Sequence, residues 1–387
     1  MKESRIGKLI EKHESIRSQG INLIASENVL SEAARKALAS DLAGRYHSTW
    51  YSGVGTIQEI IKVTEELARQ IFGAKHAIVM AQSGNLCDLA VLFAFTEPGD
   101  RLAMLPFEGG GYPLGTEKFH RNRLFLPIQE GCFDIDLDKA EALLKRNPVP
   151  LLLVGASFNV FPQPVKELKR VMRNIEPPGV FAYDGSHVLG LIACGQFQDP
   201  LKEGADVLVG STHKSLFGPQ GGLILTNSDE LAQKLDRYLG FDIDGGLGLL
   251  DNPHVNRIAA LGITLEEIID DPGYGMRVIE NARALASALD GHGVPVRFKE
   301  RGYTQSHQVF MDLTMERSEE LCGHLEKVGI FIDIGARIGV AEMTRRGMGP
   351  ARMADIAALI AEVYTSGPKE NLKAKVRELA GSVESRG

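Results

Sequence analysis

The chain has 387 residues, 44% of them apolar and 24% charged, with 43 lysines and arginines against 50 aspartates and glutamates. This size and apolar share suit a large core, expected to be divided over two domains, and the charge fraction excludes a disordered chain. A formal charge of -7 argues against a nucleic-acid partner, which wants a basic face, and no apolar run is long enough to span a bilayer.

Residues 1–20 form a charged amphipathic stretch without the apolar block of a signal peptide, expected to pack on a smaller domain or a partner subunit. TIQEIIKVTEELARQIF (56–72) places Ile57, Ile60, Ile61, Leu67 and Ile71 on one helical face. Strand-like runs follow at 77–80, 101–105, 123–128, 151–157, 180–185, 206–212 and 221–226, with helical stretches such as 136–146 and 163–174 between them. Several of these runs are apolar at every position, the mark of strands covered on both faces. The alternation predicts a mostly parallel α/β sheet over residues 50–240. Beyond the glycine-rich 241–253, the pattern changes to a helix at 276–292, strands at 294–298 and 308–313, and helices at 317–328 and 350–364. The expected division is an N-terminal arm (1–50), a large α/β domain (51–250) and a small α+β domain (251–387). Cys87, Cys132, Cys194 and Cys322 are scattered with no C-x-x-C pair, which fits free thiols in a cytoplasmic enzyme rather than a disulfide or zinc framework, and no metal is expected.

ADVLVGSTHKSLFGPQGGLIL (205–225) carries the most chemistry. Lys214 closes an apolar run before a Gly/Pro turn, and burial turns a lysine into an amine nucleophile toward an aldehyde; the plainer reading is a surface turn lysine. His213 beside it is either a polar loop residue or a contact for a bound ring or phosphate. In VFAYDGSHVLGL (180–191), Asp184 ends an apolar strand. There it serves either as a helix N-cap or as the partner of a protonated pyridine nitrogen, with His187 beside the same ring. Together, an aspartate and a lysine at successive strand ends reach one crevice at the carboxyl edge of a parallel sheet. AQSGNLCDLAVLFAF (81–95) is a Ser-Gly-Asn turn opening an apolar helix, a cup for a dianion to which Ser83 adds a hydroxyl.

D-G-S-H, then S-T-H-K with G-P-Q-G-G-L-I-L, is similar to the D-x-A-H and T-T-H-K-x-x-x-G-P-x-G-G motifs of serine hydroxymethyltransferases. INLIASEN (21–28) resembles that family's L-I-A-S-E-N, and ARIGVAEMTRRG (336–347) its R-x-G-T-x-x-x-T-x-R-G; the four motifs keep the family's order. The resemblance implies a fold type I, aspartate aminotransferase-like enzyme with pyridoxal 5'-phosphate as cofactor. It implies Lys214 as the Schiff-base lysine, Asp184 as the pyridine-nitrogen partner, and His187 and His213 on the ring and phosphate sides. Ser83, Gly84 and Asn85 match the phosphate-binding turn, and Ser157 the serine that approaches the ring hydroxyl. Arg346, with Arg345 a close competitor, matches the clamp on the substrate carboxylate, a role suited to a planar guanidinium, and Ser26 helps position that carboxylate. Tyr46 and Tyr51 match the family's two active-site tyrosines, and Gly245 and Gly246 the pair that reaches a neighbouring subunit's phosphate. A homodimer with shared active sites follows from the same resemblance.

Three departures stand out. Ser48 occupies the position of the family's catalytic glutamate, with His47 adjacent as a substitute proton carrier or a solvated residue. The ring-stacking histidine gives way to Gly109–Tyr112, where Tyr112 supplies an aromatic face after a shift of one residue. GIFIDIGARIG (329–339) lacks the longer loop that helps embrace folate in the family. Pyridoxal phosphate survives these changes, while tetrahydrofolate use is left open. The expected activity is hydroxymethyltransferase-like aldol chemistry at Cα of a small amino acid. A folate-independent aldolase or transaldolase, a racemase or aminotransferase on the same scaffold, and a catalytically silent binding protein stand behind it.

Overall fold

The computed structural model describes residues 4–242 and 246–382 and divides the chain into two compact units, residues 30–275 and residues 1–29 with 276–387. The larger unit is built on a seven-stranded sheet. Its strands are β1 (His76–Ile78), β2 (Arg101–Met104), β3 (Asn122–Phe125), β4 (Leu151–Gly155), β5 (Val180–Asp184), β6 (Val207–Ser211) and β7 (Gly222–Thr226). They lie in the order β1-β7-β6-β5-β4-β2-β3, and β7 alone runs against the others. Leu151–Gly155, Val207–Ser211 and Gly222–Thr226 are buried at every residue, as central strands covered on both faces must be. β1 and β3 are the edge strands, and β3 stays half-open.

Helix Gly55–Phe72 buries Ile57, Ile61, Thr64, Ala68 and Phe72 and ends on Gly73 in a left-handed cap. The expected face is shifted slightly: Ile60, Leu67 and Ile71 flank the buried stripe. Helix Gly84–Phe95 packs between the sheet and helix Asp229–Leu239, with Ala90, Val91 and Leu92 in the main core.

The boundary expected at 250 moves to 275. Helix Val255–Asp270 lies against helices Gly55–Phe72 and Glu32–Leu38, burying Val255, Ile258, Leu261 and Leu265, so both this helix and residues 30–50 belong to the larger core. Helix Tyr274–Gly291 then carries the chain across the boundary.

The smaller unit pairs Ile21–Asn22 in parallel with Ile330–Phe331, and Gln308–Phe310 against Arg337–Gly339. Helices Met315–Val328, Pro350–Ser366 and Glu370–Gly381 close its core through Leu321, Leu325, Ile356, Ile360, Leu372 and Val376. The strand expected at 294–298 is reduced to a bridge between Val296 and Met311, since Pro295 has no N–H to give a ladder. Helix Arg5–Ser18 belongs to this unit, yet Ile6, Leu9, Ile10 and Ile16 on it remain exposed. No helix among the described residues is long and apolar enough to cross a membrane.

Candidate active site

β5 ends at Asp184 and its neighbour β6 at Ser211, with Asp184 opposite Val209 in the register. Both ends open on the carboxyl edge of the sheet, where the crevice of an open α/β fold lies. Lys214 follows three residues after Ser211, in a turn held by Thr212 N–H to the Gly221 carbonyl (3.1 Å), Thr212 Oγ1 to the Pro219 carbonyl (2.6 Å) and Gly218 N–H to the Thr212 carbonyl (2.7 Å). Phe217 takes φ 54° inside this turn, and its ring meets Tyr274 edge-on at 4.9 Å. Tyr274 donates to the Ser215 carbonyl at 3.1 Å, so a second element fixes the same turn. Lys214 is partly buried rather than a solvated turn lysine.

Asp184 is 5% exposed and accepts the Ser186 N–H at 2.8 Å through Oδ1. Burial raises its pKa, while the Lys214 charge and the bonds to Ser186 oppose the rise. Across the sheet, a Cβ on Gly155 would lie 2.4 Å from Asp184 Cβ, so glycine leaves the aspartate its place. His187 is buried beside it in sequence. His213 is partly buried, its Nδ1 has no hydrogen-bond partner among the described residues, and its pKa is lowered to about 4 by burial and the Lys214 charge. It is therefore neutral at physiological pH.

The helix start expected to hold a dianion is built on the same edge. Ser83 caps helix Gly84–Phe95 by accepting the Leu86 N–H at 3.1 Å, which leaves its own O–H to donate. A Cβ on Gly84 would lie 2.9 Å from Ser211 Cβ and 3.0 Å from Ser186 Oγ, so the helix opens directly over the ends of β5 and β6. Asn85 is exposed, and its Oδ1 receives the Tyr112 hydroxyl at 3.2 Å. Tyr112 is partly buried, and its pKa is raised by burial and then by the charges of Asp88 and Asp184, which puts it within electrostatic reach of the aspartate. Ser157 donates its N–H to the Gly110 carbonyl at 2.6 Å, joining the glycine-rich loop to the end of β4.

Tyr46 and Tyr51 pair at 5.0 Å between ring centres, and both are about half exposed. Between them Ser48 Oγ accepts the Trp50 N–H at 3.3 Å, the work of a turn residue. His47 is buried rather than solvated, which lowers its pKa. Gly246 sits at φ 79° in an exposed hairpin with Phe241–Asp242, and Gly245 lies outside the described residues.

In the smaller unit, Arg346 follows helix Ala341–Arg345 and donates Nε to Glu342 Oε1 at 2.9 Å. Glu342 also accepts from Asn22 of the INLIASEN segment, and Asn22 donates to Glu27 at 3.0 Å. The next residues are tied in by His307 Nε2 to the Ala25 carbonyl at 3.0 Å and Gly339 N–H to the Leu23 carbonyl at 2.8 Å. Ser26, partly buried, belongs to this same framework.

Two residues escaped the sequence reading. Glu342 announced itself only by its spacing of four before Arg346, an ordinary helical salt-bridge pattern. Asp88 gave no signal beyond being a carboxylate in an apolar helix; the structure buries it to 2% exposure, with Oδ1 lacking a hydrogen-bond partner among the described residues.

A lysine amine, a buried carboxyl and a helix N-terminus at one sheet edge are the donor set that pyridoxal phosphate requires for its aldehyde, ring nitrogen and phosphate. The unpartnered His213 Nδ1 leaves a further buried contact for such a group.

Residues 1–360 match the family described as serine hydroxymethyltransferase. The chain is 35% identical over 407 residues to the serine hydroxymethyltransferase of Thermoplasma volcanium, an alignment covering 98% of this chain and 93% of that protein. It is 37% identical over 402 residues to the serine hydroxymethyltransferase of Thermococcus kodakarensis, covering 95% and 90%. In fold it is similar to the L-threonine transaldolase of Pseudomonas fluorescens, with a TM-score of 0.91 at 25% identity, covering 98% of this chain and 91% of that one. The fold is that of the fold type I enzymes, pyridoxal phosphate is the cofactor, and the chemistry is aldol-type at the Cα–Cβ bond. The chain belongs to the serine hydroxymethyltransferase family.

Proposed function

We propose that this enzyme makes and breaks the Cα–Cβ bond of a small β-hydroxy amino acid of the serine and glycine kind, with the larger unit holding the cofactor through the residues at its carboxyl edge. When bound, pyridoxal phosphate supplies an electron sink for the bonds of the substrate Cα. Lys214 Nζ would be the amine that holds the cofactor aldehyde. Asp184 keeps a proton on the ring nitrogen. Ser83, Gly84 and Asn85 hold the phosphate with the positive end of their helix, joined by Gly245 and Gly246 of a neighbouring subunit. His187, His213, Tyr112 and Ser157 line the ring. Arg346 and Ser26 bind the substrate carboxylate, and Tyr46 and Tyr51 face the substrate, Tyr46 relaying the proton of the β-hydroxyl. The observation that carries this reading is that buried Asp184 ends one strand and feels the charge of Lys214, which lies in the turn just after the neighbouring strand.

A homodimer accompanies this reading. Tyr46, Trp50 and Tyr51 are 47%, 68% and 51% exposed, and apolar residues of helix Arg5–Ser18 are exposed as well, which leaves apolar side chains for a subunit contact. The four free thiols favour a cytoplasmic setting. Light scattering on the purified protein tests the dimer; a monomer at micromolar concentration removes it.

A second reading, folate-independent aldolase or transaldolase chemistry, is favoured by Ser48, whose hydroxyl is a turn acceptor and no replacement for a carboxylic acid. Protein loaded with pyridoxal phosphate is given serine with and without tetrahydrofolate, and threonine with an aldehyde acceptor. Serine cleavage only with tetrahydrofolate supports hydroxymethyl transfer; aldehyde release or exchange without it supports the second reading. Racemisation or transamination alone, or no turnover of any amino acid, overturns both.

A further inference from the structure

Helix Gly84–Phe95 sets its first turn on Ser186 and Ser211, at the ends of β5 and β6. Asp88 follows Gly84 by four residues and so lies on the same helical face, one turn deeper. It is 2% exposed, and its Oδ1 meets no hydrogen-bond donor among the described residues. Asp184, also buried, receives the Ser186 N–H at 2.8 Å. The Asp184 charge acts on Asp88, and the Lys214 charge acts on both carboxyls. Among the other titratable groups nearby, Cys87 on the same helix and Tyr112 of the glycine-rich loop both feel Asp88 and Asp184, Tyr183 of β5 feels Asp184, His213 feels Lys214, and Arg257 of helix Val255–Asp270 acts on Cys87.

Two carboxylates against one ammonium would bury a net negative charge, and one shared proton removes it. We propose that Asp88 carries that proton at neutral pH, so that Asp184 is the single carboxylate beside Lys214; Asp88 is thus a positioning residue for the charge that meets the cofactor ring nitrogen. The proton belongs on Asp88 because an ionised oxygen without a donor is the costlier of the two, while Asp184 already has one. Burial and the neighbouring Asp184 charge push the Asp88 carboxyl well above the usual carboxylate range. An asparagine would be neutral at this position at every pH; an aspartate adds a group whose charge answers to that of its surroundings. The link to the ring nitrogen rests on the cofactor reading above, whereas the location of the proton does not.

Infrared difference spectra of cofactor-free wild type against Asp88→Asn, at pH 7 in deuterated buffer, read the carboxyl directly. The wild type is expected to hold one protonated-carboxyl band that the variant lacks, persisting well above pH ~4, where an ordinary aspartate ionises. Loss of ionised-carboxylate bands instead overturns the proposal. Asp88→Ser gives the same comparison if the asparagine variant does not fold. Above pH ~4, the ratio of wild-type to Asp88→Asn unfolding constants is expected to grow about tenfold per pH unit, because only the wild type takes up a proton on folding. A pH-independent ratio overturns the proposal, since a purely structural role would give one. Visible absorbance on adding pyridoxal phosphate to wild type separates the two readings. Binding without the protonated band sinks the Asp88 proposal alone. Failure to bind sinks the cofactor reading and the link to the ring nitrogen, whatever the band shows.

Discussion

Glu342 Oε1 receives the Nε–H of Arg346 at 2.9 Å, and Glu342 is itself 4% exposed and held from its other oxygen by Asn22. The bond uses Nε, and among the described residues the two terminal nitrogens of the guanidinium remain for a second carboxylate. In the proposed role of Arg346 as the clamp on the substrate carboxylate, this bond fixes part of its conformational freedom before any substrate arrives.

Glu342→Ala removes this aim without touching the guanidinium. A hydrogen bond to a charged group is worth about 1.5–3 kcal/mol, so KM for the amino acid should rise on the order of tenfold or more, with kcat changed much less. Steady-state kinetics check the split; an equal fall in kcat would mean that Glu342 acts on the reacting atoms themselves.

Lys214→Ala should bind pyridoxal phosphate only reversibly. After treatment with borohydride and denaturation, the wild type is expected to keep the mass of the reduced cofactor on one peptide containing Lys214, and the variant to keep none. Mass spectrometry reads this directly, and label retained by the variant would assign the attachment to another lysine.

Gly155→Ala places a Cβ 2.4 Å from Asp184 Cβ and 3.0 Å from Asp184 Oδ2. Both residues sit in adjacent central strands, so neither backbone yields easily. The expected cost is about 1–3 kcal/mol of stability by overpacking, with weaker cofactor binding because the carboxyl is displaced. Denaturant unfolding and cofactor titration on the same variant check both effects.

His213 has its pKa lowered to about 4 by burial and the Lys214 charge. As pH falls below about 6.5 the unfolded chain takes up a proton at this histidine, while the folded chain does not until about pH 4. Its contribution to stability is thus present at neutral pH and is lost as pH falls through that window. His47, whose pKa is also lowered by burial, acts in the same direction. His213→Asn should flatten the pH dependence of cofactor-free stability between about 4 and 6.5. Thermal unfolding at several pH values checks it, and an unchanged slope would leave His47 as the main contributor.

The sequence was most legible where chemistry and periodicity coincide. Seven apolar runs led to the seven strands, and Asp184 at the end of β5 and Lys214 in the turn just after β6 come to the same edge because each follows an apolar run within a β-α-β pattern. Helix Val255–Asp270 was missed because its buried face is mixed with Arg257, Gly262 and Thr264, which it uses to meet other elements: Arg257 donates to the Val79 carbonyl, and Thr64 donates to the carbonyl of Ile258. The domain boundary was misplaced for the same reason, since a glycine-rich stretch looks like a linker whether or not the helix after it returns to the same core.

The order of apolar runs determined the sheet, and the resemblance of four short motifs pointed to the cofactor and the family, because all of these are written in local sequence. Which groups are deprived of water was decided only by the tertiary structure. Asp88 is one charged residue in an apolar helix until the sheet covers it, and Glu342 is an ordinary helical partner until Asn22, 320 residues away in the chain, closes over its second oxygen. Burial changes the energy of a charge far more than its neighbours in sequence do, and burial is a property of the folded chain.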